Sequence, residues 1–125
     1  LFCKNDIKSL HCPLTDRTRN LIDAKALKKM KPTALLINVA RGPVVNNRDL
    51  YDALVAHTIA GAGLDVLEKE PLQAQNPLST FKDSTRLIIT PHLAWASTEA
   101  RQRCVDEVYE NIKAFLEGKK RNIVS

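Results

Sequence analysis

Arg41, Asp65 and His92 each stand just past a short apolar run: Ala34-Leu-Leu-Ile-Asn-Val-Ala40, Ile59-Ala-Gly-Ala-Gly-Leu64 and Leu87-Ile-Ile-Thr-Pro91. A guanidinium is a planar, permanently charged fork that matches a carboxylate. An ionised carboxylate only accepts hydrogen bonds. An imidazole ordinarily titrates near neutrality and passes a proton in either direction. Each run is bounded by turn residues and too short for a buried helix, so each reads as an interior parallel strand. Ligands of open α/β sheets bind outside the carboxyl ends of the strands, and the three groups therefore converge on one crevice. Singly, each has a plainer reading. Arg41 precedes Gly42-Pro43 and fits an exposed turn, Asp65 fits a turn cap, and a lone histidine after proline fits a structural or solvated position. Jointly, at equivalent strand ends, they describe a catalytic arrangement.

The elements that must position them alternate along the chain. Ile7 to His11 is a short strand candidate. Asp23 caps a helix running through Leu27 and Met30, which Pro32 stops. Asn46 or Asn47 caps a second helix with Leu50, Ala53, Leu54 and His57 on one face. An irregular stretch from Glu68 to Ser84 contains Pro71 and Pro77. Ser97 caps a long helix with Glu99 in its first turn, and Gly118 ends it. Cys104 or Val105, Val108, Ile112 and Phe115 would line its buried side. Strands alternating with helices imply βαβ crossovers and a parallel sheet, so the fold class is α/β.

Composition narrows the function. A chain of 125 residues holds one domain at most. The net charge of +5 comes from 19 basic and 14 acidic residues. Its one local excess, Lys119-Lys120-Arg121, follows the last helix, where cations complement the helix end. Lys25, Lys28, Lys29 and Lys31 read as a solvated face. No basic face with aromatic stacking platforms is apparent, so a nucleic-acid partner is not expected. Cys3, Cys12 and Cys104 are odd in number and scattered, which suits reduced cytosolic thiols rather than disulfides or a metal site. No apolar stretch approaches the roughly 18 residues of a membrane helix, and no signal peptide is evident, so no membrane partner and a cytoplasmic location are expected.

One pattern is missing. A dinucleotide-binding domain normally opens with a strand, then G-x-G-x-x-G, then a helix whose N-terminus holds the pyrophosphate. Gly61-Ala-Gly63 lacks a third glycine at the required spacing and sits inside a strand, where close backbone packing is its fitting role. On physics alone the chain reads as half of a nucleotide-binding sheet without its phosphate cradle.

His11-Cys-Pro-Leu-Thr15, Met30-Lys-Pro32, Leu36-Ile-Asn-Val-Ala-Arg-Gly42, Gly63-Leu-Asp-Val66, Glu70-Pro71 and Thr90-Pro-His-Leu-Ala-Trp95 come in one order along the chain. In that order they resemble the D-isomer-specific 2-hydroxyacid dehydrogenase family. Trp95 and Glu99-Ala-Arg-Gln-Arg103 are most similar to its glycerate dehydrogenase (hydroxypyruvate reductase) branch. The resemblance implies the second half of a Rossmann-like parallel sheet with flanking helices, lacking the first βαβ unit. Residues 1–116 would form the C-terminal half of the NAD-binding domain, and residues 117–125 a return toward an absent substrate domain.

The function implied is hydride transfer between NAD(H) and a small D-2-hydroxy acid or 2-keto acid, glycerate and hydroxypyruvate foremost. His92 would be the acid/base. Glu70 would hydrogen-bond and orient it, with Glu68 as a rival that only the adjoining Pro71 disfavours. Arg41 would grip the substrate carboxylate, and Asp65 would orient the nicotinamide carboxamide. Cys12, Pro13, Thr18, Val39, Ala40 and Ala94 match cofactor-binding positions of the family, with Cys12, Pro13 and Thr18 on the adenosine side. Trp95 would wall the substrate pocket or simply pack. A homodimer is implied at full length, and the chain alone is expected to be inactive, with an uncovered sheet edge promoting self-association. The residue that separates NAD from NADP falls outside this sequence. The alternative is a non-catalytic, NAD-sensing binding module, like the corepressors of the same family.

Overall fold

The apolar runs assemble as parallel strands. The computed structural model describes residues 3–124, which divide into two compact units that part between His92 and Leu93. In the first unit, β1 (Ile7–Leu10), β2 (Leu35–Asn38), β3 (Gly61–Leu64) and β4 (Leu87–Ile89) form one sheet in the order β1-β2-β3-β4. All three pairings are parallel. β4 therefore lies at an edge of the sheet among the described residues, not in its interior as the run Leu87–Pro91 suggests. A three-residue pairing to β3 alone is enough to hold it.

Two short helices connect the strands. Asp23 caps α1 (Ala24–Leu27) by accepting from the Ala26 N–H at 2.8 Å. The helix is shorter than its apolar spacing predicts. The Lys29 and Met30 amides bond only three residues back, to the Ala26 and Leu27 carbonyls, so the chain tightens into a 3₁₀-like turn before Pro32. Asn46, rather than Asn47, caps α2 (Asn47–Val55), its Oδ1 accepting from the Arg48 and Asp49 amides at 3.1 Å. Leu50, Ala53 and Leu54 of α2 are buried with Leu36, Ala62 and Leu64 of the sheet. His57 does not share that face. It lies past the helix, exposed, with φ 54°, because the chain must reverse there to enter β3. The crossover from β3 to β4 contains no α-helix. A 3₁₀ turn (Pro77–Thr80) takes that place, burying Leu78 in the core, and Phe81 beside it meets the Tyr51 ring edge-on at 6.3 Å.

These elements cover one face of the sheet. Leu36, Asn38, Ala62 and Leu64 are buried, whereas Ile7, Leu35 and Ile88 on the other face are 61%, 42% and 61% exposed. The expected flanking helices are thus present on one side only within this unit. Gly61 marks a close approach of backbones: a Cβ there would stand 2.8 Å from the Arg86 carbonyl. Arg86 clasps the same junction, with Nε and Nη2 donating to the Ala60 and Ile59 carbonyls at 2.8 and 2.9 Å. A lysine ammonium has three donors but lacks the fixed planar fork that sets two N–H groups on the Ala60 and Ile59 carbonyls at once. Arg86→Lys is therefore expected to lower stability by about 1–2 kcal/mol, read as a lower urea midpoint at unchanged slope. An unmoved midpoint would show the clasp to be dispensable.

The second unit contains α3 (Thr98–Leu116). Ser97 caps it by accepting from the Ala100 N–H at 3.2 Å, and Gly118 at φ 67° ends it. Arg121 and Asn122 fold back on Glu107 of the helix. The apolar stripe is not buried, contrary to its spacing: Cys104, Val105, Val108, Ile112 and Phe115 are all exposed, and Ala114 alone is buried in the helix. A single helix supplies no second layer against which a stripe could pack. No helix among the described residues is long and apolar enough to cross a membrane.

Candidate active site

Strand register sets the site. Leu10, Asn38, Leu64 and Ile89 are paired across the sheet as one row. The residues that follow each of them therefore leave the sheet at the same end.

After β2, Asn38 shapes the turn. It is fully buried; its Nδ2 donates to the Arg41 carbonyl at 3.0 Å and its Oδ1 accepts from the Ala40 N–H at 3.1 Å. Arg41 follows in extended backbone with its guanidinium exposed, Nη1 donating to the Ala40 carbonyl at 2.8 Å. A second strap fixes the turn from outside. The Asn20 and Ile22 amides donate to the Pro43 and Val44 carbonyls, and the Ile22 carbonyl accepts from the Asn46 N–H. Gly42 has no room for a side chain, because a Cβ there would collide with the Leu67–Glu68 peptide.

After β3, Asp65 is 6% exposed. Its N–H donates to the Asn38 carbonyl at 2.9 Å, and its Oδ1 accepts from the Thr90 hydroxyl at 2.5 Å. After β4, His92 adopts φ 57°, the left-handed region that β-carbon-bearing residues avoid. Its N–H holds the Asp65 carbonyl at 2.9 Å and the Thr90 carbonyl at 3.0 Å. The imidazole Nδ1 lies 2.9 Å from Glu70 Oε2, while Glu70 Oε1 accepts from the Leu67 N–H at 3.0 Å. The Leu67 amide first, and the His92 ring second, hold the Glu70 carboxyl below its ordinary value of 4.5. An ionised carboxylate cannot donate, so Nδ1 carries the proton in this pair. Nε2 is left as the nitrogen that differs between the neutral and the charged ring. Between Glu70 and its rival, the geometry decides for Glu70.

Asp65, Glu70, Thr90 and His92 share one cleft of about 380 Å³, walled by Leu67, Leu72 and Ile89. Arg41 does not line it, so the three strand-end groups do not share a single crevice as expected: Cys12, Pro13, Val39, Ala40 and Arg41 share another of about 600 Å³ with His11. Thr18 does not line it; its hydroxyl donates to the Pro13 carbonyl at 2.7 Å and accepts from the Thr15 N–H, bracing the loop behind. Ala94 and Trp95 belong to the second unit, where both are exposed. Asn38 and Thr90 were not singled out from sequence. The available signal for Asn38 was a polar residue two positions after Leu36, hence on the core-facing side of the strand. No cluster of three potential metal ligands occurs among the described residues.

Residues 1–94 match the family described as D-isomer specific 2-hydroxyacid dehydrogenase, NAD binding domain. The chain is 47% identical to glycerate dehydrogenase of Methylorubrum extorquens, over 99% of this chain and 39% of that protein. It is 49% identical to glyoxylate reductase of Thermofilum pendens, over 92% of this chain and 33% of that one. It superposes on the NAD-complexed D-isomer specific 2-hydroxyacid dehydrogenase of Lactobacillus delbrueckii ssp. bulgaricus with a TM-score of 0.85 and 33% identity, covering 99% of this chain and 41% of the other. The chain thus spans about a third to two-fifths of the length of the relatives it matches.

Proposed function

We propose a function that starts from one fact: this chain belongs to the D-isomer specific 2-hydroxyacid dehydrogenase family and matches its NAD-binding domain over residues 1–94. Within a polypeptide that also supplies a phosphate-binding βαβ unit and a substrate domain, it reduces a small 2-keto acid to the D-2-hydroxy acid. Hydroxypyruvate is the first substrate to test. Similarity to a glycerate dehydrogenase and, equally, to a glyoxylate reductase supports the small-acid class more firmly than any single substrate.

The residues present suit the nicotinamide end of a dinucleotide. Asp65 offers a buried carboxylate to the amide N–H groups of a carboxamide. Cys12, Pro13, Val39 and Ala40 line a separate cleft, in which Cys12 and Pro13 match the adenosine side of the cofactor, and the pyrophosphate cradle falls to the phosphate-binding unit of the longer polypeptide. When bound, the cofactor supplies the hydride. Arg41 binds the substrate carboxylate through its fork. His92 holds a proton on Nε2 and gives it to the forming alkoxide oxygen, then regains it in the reverse direction. Glu70 keeps Nδ1 protonated and the ring aimed.

The observation that carries this reading is the Glu70 carboxylate bridging the Leu67 amide and His92 Nδ1. A histidine so fixed keeps its ring in one orientation, with Nε2 as the nitrogen that exchanges a proton with substrate. The test is NADH oxidation with hydroxypyruvate, glyoxylate and pyruvate, comparing this chain with the full reading frame that encodes it. Turnover by the full frame and none by this chain is expected. Absence of turnover by both would favour the NAD-sensing, non-catalytic reading.

A further inference from the structure

Thr90 precedes Pro91, and a residue before proline is confined to extended backbone. Its β-branched side chain is also stiff at χ1. The hydroxyl is therefore aimed by local sterics, and it is aimed at Asp65: Oγ1 donates to Asp65 Oδ1 at 2.5 Å. The Thr90 main chain is tied to the same place. Its N–H donates to the Leu64 carbonyl at 2.9 Å, and its carbonyl accepts from the His92 N–H, which also holds the Asp65 carbonyl. The end of β3 and the turn at residues 90–92 are thereby laced together by three hydrogen bonds, those of the Thr90 hydroxyl, the Thr90 N–H and the His92 N–H, while His92 N–H to the Thr90 carbonyl closes the turn itself.

That lacing has something to restrain. His92 sits at φ 57°, a conformation that costs of order 1 kcal/mol or more and persists only where surroundings over-determine it. Asp65 is buried and must present its carboxylate in one orientation. The χ2 torsion of a carboxylate is broad; a hydroxyl bound to one oxygen narrows it.

From this we infer that Thr90 is a positioning residue, whose hydroxyl fixes the Asp65 carboxylate and, through it, the turn that aims His92 into the cleft. The inference rests on the dehydrogenase reading for its catalytic consequence, but not for its geometry. Thr90 lines the cleft, yet its work is done through two neighbours rather than on the substrate.

Two variants separate the hydroxyl from the shape. Thr90→Val keeps the β-branched outline and removes the donor; Thr90→Ser keeps the donor and removes the methyl. In the full reading frame, Thr90→Val is expected to lower kcat about ten- to hundredfold, the scale of a sub-ångström to 1 Å misplacement of reacting groups. KM for the keto acid stays near that of the parent, and Thr90→Ser restores most of kcat. Parent-like kcat in Thr90→Val, or equal damage in Thr90→Ser, overturns the inference, because then the hydroxyl is not what matters.

The second measurement does not need activity. In the 125-residue chain, NMR follows the Asp65 carboxyl carbon and the His92 backbone amide. Thr90→Val is expected to shift both resonances and Thr90→Ser neither. Unmoved resonances in Thr90→Val overturn the inference on their own. If the parent enzyme reduces no keto acid while the resonances do move, the dehydrogenase reading falls and the positioning of Asp65 by Thr90 stands.

Discussion

His92→Gln is expected to lower kcat for keto-acid reduction about 10³-fold in the full reading frame, with a small change in KM, since a positioned proton donor contributes roughly 10²–10⁴-fold. Glu70→Gln isolates the reason. The carboxamide put in place of the carboxylate can still accept from the Leu67 amide, but it then turns an N–H₂ toward His92 Nδ1, the atom now 2.9 Å from the carboxylate. The ring must answer by accepting at Nδ1, which places its proton permanently on Nε2 and removes the base. A kcat loss of about 10²-fold is expected in both directions, because a neutral ring protonated on Nε2 can neither accept a proton there nor give one up without becoming an anion. Equal activity of Glu70→Gln and parent in both directions would sink the pairing as a functional device.

The same carboxyl has a signature in stability. Its folded-state value lies below the ordinary 4.5, through the Leu67 amide first and the His92 ring second. A depressed carboxyl stabilises the fold above its ordinary value, and that contribution is lost as pH falls from about 4.5 through the lower folded value. Glu70→Gln should therefore flatten the acid limb of a series of urea melts. The pair is about 40% exposed, so the flattening will be small. An acid limb identical in both proteins would show that the pair does not couple to folding.

Gly42→Ala is the second large effect. A methyl at Gly42 would overlap the carbonyl carbon and oxygen of Leu67 and the amide nitrogen of Glu68. Backbone atoms cannot swing aside as a flexible side chain can, so one of two loops must move. The loop of Arg41 is pinned by Asn38 and by the Asn20–Ile22 strap. The loop of Leu67 is pinned by Glu70. Overpacking of this kind costs about 3 kcal/mol, and either displacement moves a residue assigned to chemistry. The expectation is a urea midpoint lowered by that amount and kcat/KM lowered further than stability alone explains. A variant within about 0.5 kcal/mol of the parent, the range of an innocuous surface change, would mean that the two loops do not touch.

Much of this site is local and so was legible in order. Asp23, Asn46 and Ser97 cap helices because a short polar side chain before an apolar periodicity satisfies the first amides of a helix wherever it occurs. Gly118 ends α3 for an equally local reason, the cost of positive φ to other residues. The strands could be read from apolar runs cut by turn residues, though not which one would be the edge: that depends on what pairs beyond β4. The stripe on α3 could be read as apolar, but whether anything covers it is not written in its spacing. α1 shows the reverse failure, an apolar periodicity that continues while the hydrogen bonds slip from four residues back to three.

The sequence alone determined which chemistry is available at three strand ends: the guanidinium of Arg41, the carboxylate of Asp65 and the imidazole of His92, each following an apolar run too short for a buried helix. Glu70 lies in the irregular stretch and was legible only through the family's Glu-Pro motif. The sequence also carried the family, through motifs whose order survives without coordinates. Only the tertiary structure decided which distant residues these groups touch. Glu70 rather than Glu68 meets His92 across 22 residues of chain. Thr90 meets Asp65 across 25, and Gly42 abuts Leu67 because two loops happen to cross. Periodicity and capping act within a few residues, whereas a hydrogen bond between distant segments depends on the register of strands and the path of loops. No local propensity encodes either one.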